Sequence, residues 1–116
     1  MKNQPFLRRL GFAVNGLAAA LGESSFKTQL VAAVAVLAVL LWLRPAPLWW
    51  ALVALAAALV LAAELANTAV ERLADHLHPE RHPEIKVVKD CFAAAVLIAS
   101  LGALGVAAAL AWDLLR

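Results

Sequence analysis

Four polar residues recur at turn-length intervals in the stretch ELANTAVERLAD: Glu64, Asn67, Glu71 and Asp75. At about 100° per residue, Asn67, Glu71 and Asp75 fall roughly 300°, 340° and 20° around a helix from Glu64. Three carboxylates and an amide thus form one narrow stripe, with Thr68 beside it. The stripe follows directly on nineteen residues without a charge, Pro45 to Ala63. A charge at the centre of a bilayer costs roughly 2.5–3.5 kcal/mol on the gentlest scale, so the stripe must face protein or a wet cavity. Further on, Lys86, Lys89 and Asp90 share a second helical face, followed by the small residues Ala93, Ala94 and Ala95.

These residue types belong together chemically. Carboxylates with an amide offer oxygen ligands only, which suit a hard cation such as Mg²⁺ that keeps waters and is shared with phosphate. Lysine supplies a point charge for phosphate. Surroundings of lipid and other acids raise a carboxyl's proton affinity toward that of a general base. Cation site, phosphate binder and base together describe phosphoryl transfer. The competing reading is that the charges merely pair to hold helices together; the expense of burying four such groups favours function. No GxxxxGK[ST], GxGxxG or protein-kinase signature occurs, so a nucleotide would bind a site of another design.

The elements that must position these residues are apolar. Of 116 residues, 65% are apolar and 16% charged, which indicates an all-α membrane protein of one domain, 1–116. The single Cys91 excludes an intrachain disulfide and a multi-cysteine zinc site, and is expected to pack as a small hydrophobe. Charge is missing from Thr28 to Leu43, Pro45 to Ala63 and Cys91 to Trp112, long enough for three spans if the first extends through Phe26 and a snorkelling Lys27. A buried amphipathic element is the alternative for that first stretch. Trp42, Trp49 and Trp50 flank the turn Arg44 to Pro47, and Trp112 closes the third stretch, as rings at a headgroup boundary would. The expected limits are 27–43, 46–71 with a cytoplasmic extension, and 86–113.

Phe6, Leu10, Val14, Leu17 and Leu21 repeat at helical spacing, so residues 5–22 are expected to form an amphipathic helix in the membrane interface. Lys2, Arg8, Arg9 and Lys27 precede the first span, Arg72, Arg81, Lys86 and Lys89 lie between the second and third, and only Arg44 and Arg116 fall opposite. That asymmetry places the N-terminus and the 72–90 loop in the cytoplasm and the C-terminus outside. No small-residue cleavage site follows the first apolar run, so a cleaved secretory signal is not expected. One cytoplasmic layer thereby gathers Glu23, Glu64, Asn67, Glu71, Asp75, Lys89 and Asp90.

The run E-L-A-N-T-A-V-E-R-L-A-D at 64–75, then K-D-C-F-A-A-A-V-L-I-A at 89–99, with G-L-A-A-A-L-G-E-S-S-F-K at 16–27 upstream, resembles the prokaryotic integral-membrane diacylglycerol kinase family, which includes undecaprenol kinases. The resemblance implies a homotrimeric helical bundle in the bacterial cytoplasmic (inner) membrane, each subunit with an N-terminal surface helix and three spans. Sites would form between subunits. It implies a lipid kinase that uses Mg²⁺ and ATP to phosphorylate diacylglycerol to phosphatidic acid, or alternatively undecaprenol. By position, Glu64 matches the general base, and Glu23 and Glu71 the metal-binding acids. Glu23, Glu71, Asp75, Lys89 and Asp90 match residues around the nucleotide, and Phe12 a stacking aromatic there. Glu80, Arg81 and His82 occupy the loop region that reaches adenine. Asn67, Arg8, Arg9 and Ala93 stand in supporting positions. The chain departs from the family where Phe26-Lys27-Thr28-Gln29 lacks a second acid, where Phe12 replaces a tyrosine, and where the basic residue is displaced to Arg8 or Arg9.

Other features have plainer readings. His76, His78 and His82 could bind a transition metal but fit a solvated loop better. Gly102 and Gly105 permit close helix approach. The rival class is a non-catalytic subunit or ion pathway, whose acids would run through the membrane's depth instead of gathering at one end. Nucleic acid is not an expected partner, since neither end carries a long charged tail.

Overall fold

Proline and alanine-leucine runs divide the chain into helices. The computed structural model describes residue 3 and residues 5–116; Lys2 lies outside them. The described residues form four helices and no strand: α1 (Phe6–Ala20), α2 (Ser24–Leu43), α3 (Pro47–Leu77) and α4 (Pro83–Leu115). Both α3 and α4 open on a proline, whose fixed φ suits a first helical turn and whose missing N–H is not needed there. His82 caps α4: its ring Nδ1 accepts the Glu84 backbone N–H at 3.1 Å. Arg44 ends α2 in the left-handed region (φ 50°), with its N–H donating to the Leu40 carbonyl at 2.8 Å. Pro45 cannot continue the helix, so the chain reverses within three non-helical residues, Arg44 to Ala46.

Helices α2, α3 and α4 are each long and apolar enough to cross a membrane. With 31 and 33 residues, α3 and α4 are far longer than a bilayer's apolar layer requires. At 1.5 Å per residue they measure about 46 and 50 Å, against about 30 Å of hydrocarbon. The surplus of both lies at one end, where the charged residues are. Helix α3 lies chiefly along α4, and α2 leans on α3. Few side chains are buried within the chain itself: Phe26, Leu40, Val60, Ala74 and Leu110 among the large or central ones. Leu55, Ile98 and Leu104 point outward, as a lipid-facing surface requires. On α1, Phe6, Leu10, Val14 and Leu17 are exposed and only Ala20 is buried.

Two features organise the rest. At the end away from the acidic stripe, the Trp49 indole Nε1 donates to Asp113 Oδ2 at 3.0 Å, while Arg116 pairs with Oδ1 of the same carboxylate at 3.2 Å. This ties the start of α3 to the end of α4. Between α2, α3 and α4 runs an apolar groove of about 380 Å³, from Gln29 to Leu43 along α2. Gly102 and Gly105, expected to admit a close helix, meet no such neighbour: a Cβ at either would find nothing within 4 Å. Any close approach there must come from outside the chain. Cys91, expected to pack as a small hydrophobe, is exposed because its side of α4 has no neighbour within the chain.

Candidate functional site: a charged end on an apolar groove

Because α3 runs unbroken to Leu77, the stripe keeps its register. Glu64 is the one charged residue buried among the described residues, at 5% exposure, and no described residue hydrogen-bonds or ion-pairs with it. One turn earlier on the same face, Val60 lines the apolar groove; Glu64 itself does not line it. One turn later, Asn67 Nδ2 donates to Glu71 Oε1 at 3.2 Å. Asn67 Oδ1 is buried with no hydrogen-bond partner. A buried orphan acceptor beside a carboxylate is unusual, since buried polar atoms are nearly always satisfied.

Glu23 sits in the turn between α1 and α2 and is half-buried. Its carboxylate does not cap α2. It is instead held from α3 by Arg72: Nη2 and Nε both donate to Oε1, at 2.9 and 3.3 Å. Arg72 Nη2 also reaches the Ala19 carbonyl at 3.5 Å. Expectation joined Glu23 with Glu71 as a metal pair; the bond in the chain runs to the residue next to Glu71. Among the described residues no group of three or more His, Cys, Asp or Glu side chains converges to hold a metal alone.

The third part of the site is a cleft of about 620 Å³ between the end of α3, the 78–82 turn and the start of α4. It brings together Asp75, Lys89, Glu80, Arg81 and His82, all expected near a nucleotide. Lys89 Nζ bonds Asp75 Oδ1 at 2.7 Å across the cleft. Asp90 does not line it; its carboxylate pairs with Lys86 Nζ at 2.7 Å, and Lys86 does line it. The His78 and His82 rings lie 5.6 Å apart at 43°, with His82 Nδ1 already engaged in capping. Arg9 and Phe12 line a separate hollow of about 370 Å³ on α1. Arg8 is exposed on α1 and Ala93 on α4, and neither lines the cleft.

Arg72 and Lys86 were not singled out as site residues from sequence. Lys86 had a signal, since it precedes Lys89 by three positions and Asp90 by four. Arg72 had none: its partner is 49 residues away.

A search of the curated proteins finds no match to the chain. The sequence model of the prokaryotic diacylglycerol kinase family matches residues 11–111, a stretch that includes the Glu23 turn, the stripe on α3 and the Lys89-Asp90 start of α4. The chain belongs to the prokaryotic diacylglycerol kinase family.

Proposed function

We propose that the chain transfers the γ-phosphate of ATP to the hydroxyl of a membrane lipid, with diacylglycerol as the first acceptor and phosphatidic acid as product. Membership of a kinase family implies ATP as co-substrate and a lipid as acceptor. The observation that carries the reading is Glu64: a buried carboxylate with no partner among the described residues, one helical turn beyond Val60 on the wall of an apolar groove. A lipid lying along that groove brings its hydroxyl to Glu64, which takes the proton as the oxygen attacks the γ-phosphorus, the bond to the bridging oxygen breaks and ADP leaves. Lys89, on the cleft wall, offsets phosphate charge, exchanging its bond to Asp75 for one to the nucleotide.

The oxygen donors present fit Mg²⁺. Glu71 Oε2 has no hydrogen-bond partner among the described residues, Asn67 Oδ1 one turn earlier is buried and unpaired, and one or two carboxylates with phosphate oxygens and waters complete such a shell. Glu71, Asn67 and Glu23 are the residues that would hold it. When bound, it neutralises charge on the transferring phosphoryl group.

The charged end is cytoplasmic in this reading, by the distribution of Lys and Arg, and the membrane is the bacterial inner membrane. Helix α1 rests its exposed Phe6, Leu10 and Val14 in the interface. Three copies assemble, with the open Gly102–Gly105 face of α4 admitting a neighbouring helix. Undecaprenol remains the second acceptor for a specific reason. The groove follows α2 from Gln29 to Leu43, about 21 Å of helix, and so passes the bilayer midplane that lies about 15 Å deep.

The test is transfer of label from γ-labelled ATP with Mg²⁺ by purified protein in mixed micelles. Diacylglycerol and undecaprenol are offered in parallel. Label in one alcohol, lost in Glu71→Gln, establishes reaction and acceptor together. Label in neither, or full activity in Glu71→Gln, overturns the assignment in favour of a non-catalytic membrane subunit.

A further inference from the structure

The geometry points to Arg72 as a positioning residue that holds Glu23 by one carboxylate oxygen and leaves the other free for a divalent cation. The inference rests on the reading that Glu23 and Glu71 serve Mg²⁺ with ATP.

Three contacts define the arrangement. Both Nε and Nη2 of Arg72 converge on Oε1 of Glu23, and Nη2 also touches the Ala19 carbonyl. Oε2 of Glu23 makes no hydrogen bond to any described residue. A glutamate placed in a turn, with no cap to α2, would otherwise swing through several rotamers. The guanidinium removes that freedom. Two of its nitrogens, Nε and Nη2, reach that one oxygen, a two-point hold that the single nitrogen of a lysine cannot reproduce.

The anchor's place in the chain matters as much as its chemistry. Arg72 follows Glu71 directly on α3, so the clamp ties the Glu23 turn to the same turn of helix that carries Glu71. The contact to Ala19 adds the last turn of α1 to the same anchor. Surface helix, turn acid and stripe acid are thereby indexed to one another within one chain. The clamp is half-exposed, with side-chain exposures of 56% and 41%, so its effect belongs at the upper end for an exposed pair. That corresponds to about fivefold in cation affinity.

The experiment uses the full chain in mixed micelles with a non-hydrolysable ATP analogue. Mn²⁺ is the probe, with free Mn²⁺ read by electron paramagnetic resonance. Arg72→Gln is expected to weaken Mn²⁺ about fivefold and to raise the Mg²⁺ requirement for transfer by a similar factor. Arg72→Lys recovers less than half of the loss. In a Glu23→Gln background, Arg72→Gln has no further effect. Wild-type affinity in Arg72→Gln overturns the inference, as does an equal loss in both backgrounds, which marks a tie that is only structural. Should Arg72→Gln fail to assemble, Arg72→Lys decides, since an affinity equal to the wild type's overturns the clamp. A wild-type chain that neither binds Mn²⁺ nor transfers phosphate refutes both this inference and the function it rests on. A wild-type chain that does both, beside an Arg72 variant without effect, refutes this inference alone.

Discussion

Replacing Glu64 by glutamine changes one oxygen for an amide nitrogen and keeps the side chain's volume. It removes the only buried charge among the described residues, at a site where no ion pair is lost. As a general base, Glu64 is worth about 10²–10⁴ in rate. At 1.36 kcal/mol per decade that is about 2.7–5.4 kcal/mol on the barrier. Stability should not fall. The substitution removes no hydrogen bond or ion pair to a described residue and leaves the packing volume unchanged. Glu64→Gln should therefore lose at least a hundredfold in phosphoryl transfer at saturating ATP. Its affinity for a fluorescent ATP analogue should be unchanged and its thermal midpoint in the same micelles unchanged or higher. Transfer, nucleotide binding and circular-dichroism melting of one preparation read all three quantities. Activity within tenfold of wild type refutes the assignment of the base. A loss of activity matched by lost nucleotide binding or a lowered midpoint refutes the reasoning as well, because Glu64 would then be structural.

Two further outcomes separate the two ends of the molecule. Lys89→Ala breaks a pair with Asp75 whose side chains are 37% and 66% exposed, so stability should fall by less than about 1 kcal/mol. The KM for ATP, measured by a titration of transfer rate, should rise at least tenfold; an unchanged KM removes Lys89 from the nucleotide site. Trp49→Phe loses the bond to Asp113 and should lower stability by about 1–2 kcal/mol, read from the melting midpoint. Its KM values should not move, since the latch closes the opposite end of α3.

What the sequence disclosed was what depends on neighbours along the chain. Runs without charge are visible as composition, and three helices long and apolar enough to span follow from them. The stripe was visible because a helix repeats every 3.6 residues, and the Asn67–Glu71 bond is the i,i+4 contact that such spacing allows. The reversal at Arg44 to Ala46 was announced by its prolines. Contacts between distant segments were not legible. Arg72 to Glu23, Lys89 to Asp75 and Trp49 to Asp113 join residues 49, 14 and 64 positions apart. No periodicity specifies which charge of one helix meets which charge of another. Trp49 illustrates the difference: its ring was read as an interfacial anchor, but its N–H has a defined partner. Resemblance supplied the cluster of nucleotide-site residues but not its partition, in which Asp75, Lys89 and the 80–82 turn share a cleft while Asp90 turns to Lys86.

The groove between α2, α3 and α4 is walled by helices of one chain and filled by none of them. A ligand that enters such a groove arrives sideways, by diffusion within the plane of the bilayer, and never passes through water. The quantity that loads it is then a surface density. Diluting the acceptor with inert lipid should slow the enzyme at constant total acceptor, whereas diluting the whole suspension with buffer should not. On the proposed reading the cleft that takes ATP lies at the wet end and answers to ordinary concentration. One chain would thus meet its two substrates in spaces of different dimension, with Glu64 at the border between them.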